Sequence, residues 1–307
     1  YFEPLVSFPF VPGHEVVGNL DDHTRVVVEP VLRCAARDIS PPCRRCAAGT
    51  TNRCERTAFG HLAAGLQTGY CADTGGGWST TFVAHESQLH EVPSDLADEA
   101  AVMVEPTACA VHAARLVGEA RSVAVIGAGT LGLCTLAAVN RLSRPDVLLA
   151  AAKHPEQRAF ATAFGARVVE PGELERAVRT AVGGLRAGPQ LTDGVDVVAD
   201  CVGNEASLAQ ALRIVAPGGT VVLVGMAGRV HVDLTPLWHR EVALRGAYAY
   251  TTDDFRLAFD VVRDADLGRL VTALYPLDRY REAIEHAAEA GSRGAVKVAF
   301  DLRKERR

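Results

Sequence analysis

An apolar run of strand length, Ser122–Ile126, leads straight into Gly127-Ala-Gly129-Thr130-Leu131-Gly132, and an apolar helical pattern follows from Thr130. No other stretch narrows the choice of fold so far, because G-x-G-x-x-G between a strand and a helix prescribes one kind of turn. The first glycine makes the tight turn and the second lets a pyrophosphate approach the backbone. The third lets helix and strand pack closely, with the phosphates on the helix N-terminus. Further segments alternate: strand 146–152, helix 155–166, strand 167–170, strand 195–203, helix 206–215, strand 219–225 and strand 241–249. Such interleaving implies an α/β fold with a doubly wound parallel sheet. Pro217-Gly218-Gly219 reads as the turn that feeds one of these strands. Gly127, Gly129, Thr130, Leu131 and Gly132 are the expected phosphate cradle. Val202 and Gly203 (after Asp200), and Val224, Gly225 and Met226, end later strands on the carboxyl side, where such sheets bind ligands.

Charge at the tip of the second strand bears on which dinucleotide fits. An acid ~20 residues past the last glycine would bind a ribose 2′-hydroxyl. That place holds Ala152, followed by Lys153 and His154, with Arg158 one helical turn on. Asp146 is at the wrong end of the strand and Glu156 is already in the helix. Cations in place of a carboxylate suit a 2′-phosphate, so NADP(H) is expected over NAD(H). The alternative is that Lys153 and Arg158 are surface residues only.

Four of the eight cysteines lie in CAARDISPPCRRCAAGTTNRC: Cys34, Cys43, Cys46 and Cys54. A C-x2-C pair places two thiolates around one tetrahedral cation, and the outer two can close the shell through short loops. Pro41, Pro42, Gly49 and the Thr-Thr-Asn run mark irregular backbone, which apolar burial would hold poorly. A structural zinc is expected there. Disulfides are the alternative, disfavoured in a cytosolic chain. Cys71, Cys109, Cys134 and Cys201 are scattered and read as inert small hydrophobes.

The segment VPGHEVVG, 11–18, sets His14 beside Glu15. Consecutive strand side chains face opposite ways. The two converge only if the backbone leaves regular pleating, which Gly13 and Gly18 allow. On these residues alone a buried histidine with a carboxylate partner is an equal reading. His85, His90 and His112 lack metal spacing and read as surface or core histidines. Trp78, after three glycines, either lines a pocket or covers the core. The pattern at 278–290 reads as a packing helix.

A chain of 307 residues is long enough for two domains. Its 48% hydrophobic and 22% charged residues describe an ordinary globular protein. A net charge of −5 favours neither nucleic acid nor an anionic membrane as partner, and the basic run 303–307 reads as a solvated end. No uninterrupted apolar stretch of ~18 residues appears and no secretory leader is recognisable, so the expected location is cytoplasmic.

Together these pieces resemble the medium-chain, zinc-dependent alcohol dehydrogenases, in particular the branch with polyol (sorbitol-like) and threonine dehydrogenases. PGHEVVG resembles the family's GHE motif. The cysteine lobe resembles its structural zinc loop, with x8 in place of x2 between the first two cysteines. AAVMVEPTACAVHA, 101–114, resembles the EP motif, with Glu105 where other alcohol dehydrogenases carry a cysteine. PGGTVVLVG, REVALRG and GAVKVAF extend the likeness over essentially the whole chain.

The resemblance implies a Rossmann domain, 113–252, and a mostly β, GroES-like catalytic domain from 1–112 and 253–307, with the active site in the cleft between them. It implies a catalytic zinc on His14, with Glu15 in or just behind the ligand shell and Glu105 as a third candidate, and Thr107 meeting the nicotinamide. An N/O-rich set leaves an open position at which the metal would polarise a substrate oxygen, so that hydride passes between a secondary alcohol or polyol (or its ketone) and the cofactor. A homodimer or homotetramer through the last sheet strand is implied too. The family's catalytic cysteine precedes GHE, and the 13 residues before His14 contain none. The expectation is therefore an N-terminally truncated chain that alone holds catalytic zinc weakly and turns over little. Two rivals stand beside this reading. One is a metal-free quinone-type reductase of the same superfamily, against which His14, Glu105 and the cysteine lobe count. The other is a non-catalytic NADP(H)-binding zinc protein.

Overall fold

The computed structural model describes residues 5–188, 190–226 and 228–303; the end of the basic run, 304–307, lies outside them. Two compact units emerge: Tyr1–Ala108 with Ala249–Ala288 and Lys297–Arg307, and Cys109–Tyr248 with Glu289–Val296. The borders fall a few residues before 112/113 and 252/253, and 289–296 goes with the sheet unit. Local contacts explain the latter. The Thr130 hydroxyl donates to the Val296 carbonyl at 2.9 Å, and Gly291 lies so close to the His154 ring that a Cβ would stand 2.3 Å from it.

The sheet unit has six parallel strands: β1 (Ser122–Ile126), β2 (Val147–Ala151), β3 (Arg167–Val169), β4 (Val195–Asp200), β5 (Val215–Leu223) and β6 (Ala243–Gly246). Their order is β3-β2-β1-β4-β5-β6, which reverses between β1 and β4. Every residue of β1 is buried, as a central parallel strand covered on both faces requires. Helices α1 (Thr130–Leu142), α2 (Pro155–Ala163), α3 (Leu174–Val182) and α4 (Glu205–Ile214) intervene, and Leu174, Val178, Leu208 and Leu212 join the strand residues in one core. Expected strand 195–203 stops at Asp200, whose Oδ1 accepts from the amides of Val202 and Gly203, both at 3.0 Å, and turns the chain. Expected strand 219–225 begins earlier, at Val215. Gly218, at φ +73°, lies inside it at a register shift.

The other unit has an antiparallel sheet, Val17–Asn19, Arg25–Val28 and Leu89–Glu91, and a parallel pair, Val271–Tyr275 with Lys297–Phe300. Helices span Thr252–Asp264 and Tyr280–Ala288, and helix Val104–Val117 begins in this unit and continues past the border at Ala108. The expected helix 278–290 is thus shorter, and only Ala283 in it is buried. Arg303, expected as part of a solvated end, is instead paired with Asp98, Glu99 and Asp301. No helix among the described residues is long and apolar enough to cross a membrane.

The cysteine lobe has a very small apolar core: Leu32, Ala36 and Cys71, with Leu62 and Ala63 against them. Arg37 compensates. At 1% exposure, its guanidinium donates to the carbonyls of Leu32, Phe59, Leu62, Ala63 and Gly65 at 2.8–3.1 Å. One side chain thereby satisfies five acceptors of a loop that has no ladder of its own. Arg37→Met should destabilise the protein by roughly 3–5 kcal/mol, because those acceptors lose charge-assisted partners without regaining water. Urea denaturation should show a lower midpoint at unchanged slope. Arg37→Lys should fall nearer Met than wild type, since an ammonium cannot reproduce the planar fork.

Candidate catalytic metal centre and nucleotide site

The ligand atoms of His14, Glu15 and Glu105 lie within 4.8 Å of one another. Neighbours in sequence converge because the first antiparallel strand starts only at Val17 and Gly13 sits at φ +98°. A strap of glycines holds that loop. Gly77 N donates to Gly13 O and Trp78 N to Pro12 O, both at 2.9 Å. A Cβ on Gly76 would stand 2.1 Å from the Val11 carbonyl, and one on Gly13 2.7 Å from Trp78 Cδ1. The Trp78 ring is edge-on to Phe300 at 5.1 Å and also lines a cavity of about 1220 Å³ that reaches His14 and Glu15. It therefore lines a cavity, one of the two readings open to it.

Glu105 comes from the first turn of helix Val104–Val117 and is 3% exposed. The Tyr250 hydroxyl donates to its Oε1 at 2.9 Å. Glu15 is ion-paired with Lys297. Neither Lys297 nor Tyr250 was foreseen. Lys297 had a signal, a lone cation inside GAVKVAF, since a lysine in an apolar strand needs a buried carboxylate; Tyr250 had none. Thr107, on the helix of Glu105, is fully buried. His90 Nε2–H donates to Glu29 Oε2 at 2.8 Å, and His85 caps the turn 86–88.

Burial lowers the His14 pKa, against the pull of Glu15, and leaves a neutral imidazole. Burial works against the Glu15 charge too, but Lys297, by its charge and hydrogen bond, brings that carboxyl below its usual range. Glu105 is pushed up to about 8 by burial and then by the Glu15 charge. One neutral nitrogen, one ionised carboxylate and a second carboxyl kept protonated by burial and by its neighbour's charge suit a divalent cation with N/O ligands.

The sulfurs of Cys34, Cys43, Cys46 and Cys54 also lie within 4.8 Å of one another, so Cys34 joins the set despite its longer spacing. No disulfide joins any of the eight cysteines, and Cys34 Sγ is 3.7 Å from Cys54 Sγ, far from the ~2.05 Å of a disulfide. Backbone amides point at the sulfurs: Cys43 N to Cys34 Sγ at 3.3 Å and Arg56 N to Cys54 Sγ at 3.4 Å. Burial opposes it, yet the Glu55 and Cys46 amides bring the Cys43 thiol down to about 6. Four converging sulfurs with amide donors fit a tetrahedral zinc.

At the switch point Gly127 takes φ +90°, and a Cβ there would stand 2.5 Å from Val202 Cγ2. A Cβ on Gly132 would stand 1.9 Å from the Gly127 carbonyl, so only glycine lets α1 approach β1. Gly129 caps α1 and has open space where its Cβ would be, room for a phosphate. Leu131, in the first turn of α1, is half-buried. Gly203 lies so close to Gly225 that a Cβ would stand 2.1 Å from its carbonyl, which brings Val202 and Gly203 beside Val224, Gly225 and Met226. Lys153 and His154 follow β2, and Arg158 reaches the same tip by donating to Ala152 O at 3.0 Å. The spacing rule missed Glu170, next to β3, which pairs with Arg158 at 2.8 Å. Both partners are substantially exposed, so the pair is weak.

Residues 1–94 match the alcohol dehydrogenase GroES-like domain, and residues 130–264 match the zinc-binding dehydrogenase family. The chain is 28% identical to L-idonate 5-dehydrogenase of Vitis vinifera, over 97% of this chain and 81% of that one. It is 29% identical to sorbitol dehydrogenase of Arabidopsis thaliana, with the same coverage. Among solved structures, an NADP-bound dehydrogenase of Sinorhizobium meliloti 1021 aligns with TM-score 0.74 at 25% identity, over 96% of this chain and 85% of that chain. With both family models matched and a relative, probable diacetyl reductase 2 of Saccharomyces cerevisiae, 30% identical over 94% of this chain and 70% of that one, the chain belongs to the zinc-dependent medium-chain polyol dehydrogenase family.

Proposed function

We infer that the chain oxidises a secondary alcohol or polyol to its ketone, or runs the reverse reaction, by passing hydride to or from a nicotinamide dinucleotide and releasing or taking up one proton. The observation that carries this is the convergence of the ligand atoms of His14, Glu15 and Glu105 within 4.8 Å of one another. These three would hold the catalytic zinc, which when bound supplies a Lewis acid for the alcohol oxygen. Lys297 keeps Glu15 ionised, and Tyr250 fixes the orientation of Glu105. Gly129 and the amides that open α1 receive the pyrophosphate.

Lys153, His154 and Arg158 favour NADP(H), in keeping with the NADP-bound relative. The exposed edge strand β6 is a ready pairing surface and supports a homodimer, and cysteines outside any disulfide suit a reducing, cytoplasmic compartment. The test is turnover of zinc-loaded protein over polyols and simple secondary alcohols with each cofactor. The expected result is oxidation that chelation abolishes, zinc restores and NADP+ supports better than NAD+. Chelator-insensitive turnover would favour the metal-free reductase. Cofactor binding without turnover of any alcohol would leave only the non-catalytic reading.

A further inference from the structure

Tyr70 takes no part in the chemistry above, yet its ring lies against His14, with centroids 5.4 Å apart, and against Phe10 at 5.7 Å. Its backbone is laid on the loop that carries His14. Gly69 takes φ +86°, and a Cβ there would stand 2.7 Å from the Gly13 carbonyl. The Gly69 amide donates to Gly75 O at 3.2 Å and the Tyr70 amide to Gln67 O at 3.1 Å. The phenol is thus fixed relative to the imidazole from two sides, and Tyr70 lines the same cavity as His14, Glu15 and Lys297. The polar groups around it are engaged, Glu15 by Lys297 and Glu105 by Tyr250. Among the described residues the Tyr70 hydroxyl has no hydrogen-bond partner and is not sealed from solvent. It is the uncommitted donor and acceptor beside the trio.

We propose that Tyr70 is a specificity-determining residue whose hydroxyl hydrogen-bonds the second hydroxyl of a vicinal diol, the first being the one that reacts at His14, Glu15 and Glu105. This rests on the alcohol dehydrogenase reading above and narrows it to substrates with adjacent hydroxyls. A monohydric alcohol leaves the phenol to water, so the contact discriminates between the two classes.

Tyr70→Phe keeps the ring against His14 and removes only the hydroxyl. Zinc-loaded wild type and variant are compared on 2,3-butanediol and on 2-butanol, and cobalt(II) replaces zinc in both for visible spectroscopy of the His14 site. The expected result is about a tenfold loss of kcat/KM for the diol, mostly in KM, as one hydrogen bond of a partly solvated group supplies. With 2-butanol kcat/KM should stay within about twofold, and the cobalt spectrum should not change. Equal losses on both alcohols, or no loss on the diol, would overturn the proposal. An altered cobalt spectrum would overturn it too, making Tyr70 a positioning residue for His14. Failure of wild type on both alcohols would remove the underlying function, and the proposal with it.

Discussion

Replacing Cys43 and Cys46 together by serine should release the cation from the four-thiol lobe and unfold residues 34–65. The lobe has little else to hold it. Its regular backbone amounts to single turns at Ala35–Arg37, Arg44–Ala47 and Thr51–Arg53, and its core is the handful of small side chains around Leu32. A structural zinc supplies on the order of 10–16 kcal/mol of binding free energy that doubles as folding free energy, far more than those contacts. The measurement is zinc per chain together with amide hydrogen exchange. One cation should be lost and protection should vanish between Cys34 and Gly65, while β1 amides stay protected by the separate sheet core. If the lobe keeps its protection after losing the cation, the Arg37 cage suffices and the zinc is dispensable for folding.

The second large effect is on turnover. His14→Ala removes the one neutral nitrogen from a trio whose other members are carboxylates, one already shared with Lys297. Loss of a partner behind a ligand typically costs ~10–100-fold. Loss of the ligand itself should reduce kcat/KM by on the order of 10³-fold or more. The cysteine lobe should keep its metal and the thermal midpoint should move little, since the glycine strap meets His14 through its backbone neighbours. Metal analysis would then read one cation fewer with the fold intact. A variant that still turns over at wild-type rate would exclude His14 as a ligand.

Local chemistry made the sheet legible. β1, the glycine turn and α1 are consecutive, and each choice of residue in them answers to a neighbour a few positions away. Strand ends were less legible because a side chain decides them, as Asp200 does by drawing the Val202 and Gly203 amides onto its carboxylate. His14, Glu15 and Glu105 were readable only through the motifs they stand in. Tyr250 and Tyr70 were not, because each is placed by tertiary packing rather than by spacing, and Lys297 showed only as a lone cation in an apolar strand, without its partner. Glu170 escaped for the same reason, since it reaches the tip of β2 from a neighbouring strand. The longer gap between Cys34 and Cys43 did not matter once the chain could double back to bring the sulfurs together.

The ion pair between Glu15 and Lys297 joins positions 282 residues apart, and the bond between Tyr250 and Glu105 spans 145. All six strands of the parallel sheet are spliced into that second interval. A ribosome must therefore add 282 further residues before Glu15 meets its ammonium, and the sheet strands can form while the trio still waits for both its distant supports. Loop closure over such separations is slow, so the supports of His14, Glu15 and Glu105 should form after the strands of the parallel sheet.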